Sequence, residues 1–158
     1  MTISTNDQWD LKKQRLADVP AAELAEALLD LAVRSEVAHA TVERLIATPD
    51  EAASRFTSQL AGIRRRRRFV DWRGASDFAY ELSALLDGLR DGVQEARNGV
   101  ELAASFFKAD GAIMEQCDDS SGSVGEVFRY DAANAFAHFA SQCADKQWVV
   151  ETVSLGLL

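Results

Sequence analysis

Ser76-Asp77-Phe78-Ala79-Tyr80-Glu81-Leu82-Ser83-Ala84-Leu85-Leu86-Asp87-Gly88-Leu89-Arg90-Asp91-Gly92-Val93 carries the clearest period in the chain. Phe78, Leu82, Leu85, Leu86, Leu89 and Val93 recur at steps of three and four, the spacing that lines one side of an α-helix. The same period returns on both sides of this stretch. Upstream it runs through Leu24, Leu28 and Leu31, then Ala38, Val42 and Leu45, then Ala52, Phe56, Leu60 and Ile63. Downstream it runs through Val100, Ala103, Phe106, Phe107, Ile113, Met114 and Cys117, then Val124, Phe128, Ala132, Ala135, Phe136, Phe139 and Cys143. A short last element holds Trp148, Val149, Val150 and Val153.

The punctuation between these faces is helical too. Asp18-Val19-Pro20 starts one helix, with Pro in the first turn where its missing N–H costs nothing. Thr48-Pro49-Asp50-Glu51 starts another, with a capping hydroxyl and two acids at the positive helix end. Phe69-Val70-Asp71-Trp72-Arg73-Gly74 breaks the period and marks a connection, and Asn98-Gly99 punctuates again. Asp118-Asp119-Ser120-Ser121-Gly122 is the clearest loop, and Ser123 with Glu126 after it has the spacing of a capping box. The expectation is an all-α protein of six or seven helices in stacked antiparallel hairpins, a short α-solenoid or a bundle. Residues 1–19 are expected to form a partly ordered tail, and residues 20–158 a single helical domain.

Composition narrows the class further. The 158 residues are 47% hydrophobic and 27% charged, enough apolar content for a buried core. Two prolines and nine glycines, beside abundant Ala, Leu and Glu, disfavour a sheet. The net charge of −8 argues against wholesale binding to nucleic acid or anionic membrane. Cys117 and Cys143 are far apart and fit a reduced interior. The polar start Met1-Thr2-Ile3-Ser4 is no signal peptide, and no apolar run reaches the 18 or so residues of a membrane span. A cytoplasmic location is therefore expected.

Three segments occur in a fixed order: Arg64-Arg65-Arg66-Arg67-Arg68-Phe69-Val70-Asp71-Trp72-Arg73, the helix of Tyr80-Glu81-Leu82 and Leu85-Leu86, and Cys117-Asp118-Asp119-Ser120-Ser121-Gly122-Ser123-Val124-Gly125. Together they resemble a bacterial family of α-helical, TPR-like repeat domains. In that family an R-x-F-(I/V)-D-(Y/W)-R segment precedes a Leu-rich hairpin and a D-D-S-x-G-x-x-G turn. The resemblance spans about residues 20–150. It implies a fold and brings no chemistry with it.

The Arg run is the strongest local signal. Residues 64–73 hold six Arg and one Asp, +5, whereas residues 98–158 hold three basic and nine acidic residues, −6. Structurally, cations suit a helix C-terminus, and their forks can pair with Asp71, Asp77, Asp118 or Asp119. Arg67 continues the Phe56-Leu60-Ile63 face and is expected to turn inward and pair. Functionally, the run would contact phosphate or RNA, with Phe69 and Trp72 as stacking surfaces. The negative total favours the structural role. The Asp118 loop lacks alternating calcium ligands, and its twelfth position is Arg129, so no metal is expected. With His39 and His138 as the only histidines and no nucleophile motif, no catalytic residues and no cofactor are expected, and the chain is not read as an enzyme.

A non-catalytic protein–protein interaction module on a helical-hairpin stack is the leading expectation. Its candidate contacts are Arg64, Arg65, Arg68, Trp72, Arg73, Tyr80, Asp110, Glu115, Asp118, Asp119 and Trp148. The partner is another protein or complex, with no membrane and no direct role for nucleic acid, and self-association is left open. The alternative is a small acidic inhibitor of the phage anti-CRISPR or anti-defence type, its carboxylates filling a nucleic-acid channel. The third expectation is a weak RNA or phosphate binder acting through the Arg run.

Overall fold

The period read from the leucines becomes helix throughout a computed structural model that describes the backbone of residues 4–156 and the side chains of residues 4–154. Residues 1–3 of the expected tail and residues 157–158 lie outside that description. In chain order the helices are α1 (Thr5–Ala17), α2 (Ala21–Arg34), α3 (Glu36–Ile46), α4 (Pro49–Arg65), α5 (Ala75–Gly92), α6 (Ala96–Lys108), α7 (Asp110–Glu115), α8 (Ser123–Glu126), α9 (Ala133–Gln142) and α10 (Lys146–Gly156). A π-helical turn, Val127–Ala132, joins α8 to α9 without a break. Helix makes up 80% of the structure. Circular dichroism should therefore show a dominant helical spectrum, and less than about 45% helix would contradict the fold, since ordinary domains average about a third.

The fold class is all-α, as the period implies, but the helices outnumber the expected six or seven for two local reasons. Residues 5–17, read as tail, form α1, whose Ser4 hydroxyl accepts the Asp7 N–H at 3.2 Å. And the single helix expected through Val100–Cys117 splits at Ala109, where the Ala109 N–H turns back to the Phe106 and Phe107 carbonyls and tightens the last turn of α6.

The chain divides after Ile46 into two compact units, so the boundary expected near residue 20 falls inside the first. In that first unit α2 packs on α3, and Ser35 caps α3 through the Ala38 N–H. Among its described residues only Val42 is buried.

The second unit holds the core. Its α5 packs against α4, α6, α8, the π turn and α9. Phe56, Leu82, Leu86, Leu89, Val100, Phe106, Ile113, Val124 and Phe139 are its most deeply buried large side chains. Burying a side chain of this kind contributes about 1.5–3 kcal/mol, which is where the unit's stability resides. Thr48 and Glu51 form the capping box of α4, the Thr hydroxyl taking the Glu51 N–H at 3.3 Å and the Glu carboxylate the Thr48 N–H at 3.2 Å. Along α8, the π turn and α9, the buried positions are Val124, Val127, Ala132, Ala135 and Phe139. The five-residue step from Val127 to Ala132 is the one that 3.6 residues per turn cannot accommodate, and the wider π turn falls there.

Two expected boundaries are corrected. Asn98-Gly99 does not break the chain but lies within α6, whose cap is Glu95, accepting the Arg97 and Asn98 N–H groups at 3.0 and 2.8 Å. Gly99 is there for packing: a Cβ on it would stand 2.1 Å from Phe139 Cδ1. The Ser123–Glu126 capping box does not form either. Gly122, left-handed at φ 78°, occupies the cap position of α8 and has no side chain to offer. Asp119 supplies the acceptor from three residues further back.

Candidate functional site

Sequence alone places five arginines at the end of a helix, and the fold determines what becomes of them. Helix α4 ends at Arg65, and Arg66 is already extended. From Arg66 onward the i, i+4 register of Phe56, Leu60 and Ile63 is lost. Arg67, expected to point inward and pair, is exposed and has no ion-pair partner among the described residues. Arg64, Arg65 and Arg68 are exposed as well and have no carboxylate partner there, although Arg65 Nε donates to the Ala61 carbonyl at 3.2 Å. Arg66 is the exception. Its two terminal nitrogens take both oxygens of Glu81 on α5, with Nη1 to Oε2 at 2.8 Å. That fork-to-fork contact raises the already high pKa of the guanidinium. Arg67→Gln and Arg68→Gln should each melt within about 0.5 kcal/mol of the parent, whereas Glu81→Gln should lose up to about 1 kcal/mol. A large loss from either Arg variant would mean a buried partner.

The connection after the arginines is held by backbone. The Val70 N–H donates to the Gln116 carbonyl at 2.7 Å, and the Asp118 N–H donates to the Val70 carbonyl at 2.8 Å. These form a single parallel bridge between Val70 and Cys117. Gln116 Nε2 adds a third link to the Arg64 carbonyl at 3.2 Å. Further along, the Asp71 carboxylate accepts the N–H groups of Arg73 and Gly74 at 3.0 and 3.1 Å and shapes the entry into α5. The basic segment and the acidic turn are therefore one structural unit. They are joined through main chain, not through the Arg–carboxylate pairs that their charges suggest.

The two acids of the turn are occupied locally. Asp119 accepts the Val124 and Gly125 N–H groups, both at 2.8 Å, where free donors at a helix start need an acceptor. Asp118 takes the Ser120 N–H at 3.1 Å and the Ser120 hydroxyl. Cys117 is buried beside them, and burial first, then the charges of Asp119 and Asp118, pushes its thiol pKa up. A raised folded-state pKa keeps the thiol protonated when the unfolded thiol would ionise. Stability should therefore fall as pH rises above about 8.5, the ordinary thiol value. Urea midpoints at pH 7 and pH 10 should converge in Cys117→Ala relative to the parent.

The remaining candidates divide. Phe69 and Trp72 are exposed, at 59% and 61%, and the Arg73 guanidinium lies 5.0 Å from the Trp72 ring centre. Tyr80, next to the Glu81 that holds Arg66, is 76% exposed. Asp110 and Glu115 are exposed on α7, which packs on α4. Trp148 is different: it is half-buried against the core, with Arg97 stacked 4.4 Å from its ring centre and Asp145 capping its N–H at 3.0 Å. It serves α10, not an exposed face.

A protein-family model described as a family of unknown function, DUF6880, matches residues 7–153. The chain belongs to that family. No curated protein and no solved structure matches it. In this DUF6880 member, then, the face has to be read from its own chemistry. Among the described residues no group of three or more His, Cys, Asp and Glu could hold a metal ion, and no helix is long and apolar enough to cross a membrane. The Cys117 thiol lies 3.6 Å from the Ile113 carbonyl, and His138 rests edge-on against Phe139 at 5.0 Å. Residues missing from the sequence-based candidates are Arg67, Glu81, Val70 and Gln116. Arg67 faces inward only in a helix that runs past Arg65, and α4 ends there. Val70 and Gln116 act through main chain and a side-chain amide, which leave no motif.

Proposed function

We propose that this protein is a non-catalytic interaction module that engages a partner protein through the Arg64–Arg73 connection. One observation carries it: Arg64, Arg65, Arg67 and Arg68 stand exposed without carboxylate partners, beside exposed Phe69 and Trp72, on a segment pinned to Gln116 and Asp118. A backbone already pinned leaves only side-chain entropy to lose when a partner arrives, and Arg and Trp are the side chains that most often anchor interfaces. A helical-hairpin stack of TPR-like type, working in the cytoplasm, is the setting we propose for that face. The acidic-inhibitor alternative has less to draw on, because Asp118 and Asp119 are engaged in their own turn.

The test compares the parent with an Arg64→Gln/Arg65→Gln/Arg67→Gln/Arg68→Gln variant. Each is crosslinked in lysate with and without nuclease treatment, and captured proteins are identified by mass spectrometry. A protein captured by the parent and lost from the variant supports the proposal. Capture that is equal in both, or that vanishes on nuclease treatment, overturns it.

A further inference from the structure

The structure also bears on what the partner presents. Building on the interaction-module proposal, we infer that Arg64, Arg65, Arg67 and Arg68 take a short acidic segment of the partner protein, its carboxylate or phosphoryl side chains held by the guanidinium forks and a neighbouring apolar side chain seated on Phe69 and Trp72.

Three observations support this. First, Arg66 already shows how the run handles such a group, taking both oxygens of Glu81 with its two terminal nitrogens. Its neighbours Arg64, Arg65, Arg67 and Arg68 carry the same fork without a carboxylate. Planar forks suit carboxylate and phosphate alike, and Arg clusters that read acidic or phosphorylated motifs use this chemistry. Second, the charge is local. Residues 64–73 carry +5 within a chain of net −8, so the other residues carry −13. A segment no longer than the basic face gains the attraction alone. A nucleic acid strand that continues past the run meets acidic side chains, beginning with the Asp118–Asp119 turn hydrogen-bonded to Val70. Third, the aromatic surface is held in place. Arg73 lies over the Trp72 ring at 5.0 Å, and the Asp71 turn fixes the backbone on either side. One ring face is thereby taken by a cation, which leaves the other for an apolar side chain of the partner.

Fluorescence anisotropy of the full chain tests this with four labelled probes: a decaglutamate peptide, the same peptide with one central Trp, a Gly-Ser decapeptide with alternate phosphoserines, and a ten-nucleotide oligo(U). The Trp-containing acidic peptide should bind at least about tenfold more tightly than oligo(U), a difference of about 1.4 kcal/mol. Its affinity should fall with salt, and Arg67→Gln/Arg68→Gln and Trp72→Ala should each weaken it by about fivefold or more. The glutamate and phosphoserine probes distinguish the two sources of negative charge, and tighter binding of either one supports the inference. Oligo(U) binding as tightly as the acidic peptides overturns it, as does peptide affinity unchanged by the Arg variant or absent into the millimolar range. If the peptides fail while lysate capture still depends on the arginines, the acidic-segment inference falls and the interaction module stands. If capture is also independent of them, both fall.

Discussion

Gly99→Ala should lower the stability of the second unit by about 2–3 kcal/mol, several degrees in melting temperature, although the change removes a glycine from a helix interior. By propensity alone the substitution is favourable by about 1 kcal/mol. Packing reverses the sign. The new Cβ would stand 2.1, 2.3 and 2.5 Å from three carbons of the Phe139 ring, well inside the 3.5–4.0 Å of ordinary carbon contact. Phe139 is fully buried and has no solvent to move into. Either the ring leaves its rotamer or α6 and α9 separate. Gly62 is the internal control: it lies within α4, and a Cβ there meets nothing within 4 Å. Gly62→Ala should therefore raise stability by up to about 1 kcal/mol. In the double variant Gly99→Ala/Phe139→Leu, the two losses should fall well short of additive, because the smaller side chain vacates the space. Thermal melts of the parent, Gly99→Ala, Phe139→Leu, their double variant and Gly62→Ala suffice, and a stabilised Gly99→Ala would show that α6 and α9 do not approach this closely.

Asp119→Ala should cost about 2–4 kcal/mol, and Asp118→Ala less than about 1 kcal/mol. The two acids are neighbours in sequence with the same formal charge, so composition cannot rank them. Asp119 accepts two backbone N–H groups at the start of a helix, both at 2.8 Å and partly buried. Its loss leaves both donors without a partner at a site where Gly122 can supply none. Asp118 binds Ser120 at the exposed edge of the turn, where water replaces it readily. Asp119→Asn retains one acceptor oxygen and should fall between. In the sequence Asp119 is among the carboxylates open to an inward Arg67, and that pairing predicts strong coupling between the two positions. The structure removes that expectation: Asp119 is occupied by main chain and Arg67 is exposed. The variant Arg67→Ala/Asp119→Ala should therefore lose the sum of its single losses within about 0.5 kcal/mol. Urea unfolding of the three variants measures this, and a substantial coupling energy would restore the pairing.

What the sequence determined by itself was everything that repeats within a few residues. The three-and-four spacing of Phe78, Leu82, Leu85, Leu86 and Leu89 specifies a helix because one face of it has to leave water. Thr48 and Glu51 specify their own capping box because both partners lie within one turn. The connection at Phe69–Gly74 and the turn at Asp118–Gly122 were legible on the same grounds, since their residues interrupt a period that holds on both sides.

Only tertiary structure decided which of these local pieces meet, and through which atoms. The Val70–Cys117 bridge joins main-chain groups 47 positions apart, and any non-proline residue carries the same N–H and C=O. Gly99 resembles a helix stop in sequence and is a packing site in space, because its meaning depends on Phe139 arriving from α9. The arginines show the same division. Their charge is fixed by composition, but whether it is spent on the protein's own acids depends on where α4 ends. It ends at Arg65, one residue before Glu81 claims Arg66, and so Arg64, Arg65, Arg67 and Arg68 remain without a carboxylate partner, facing solvent.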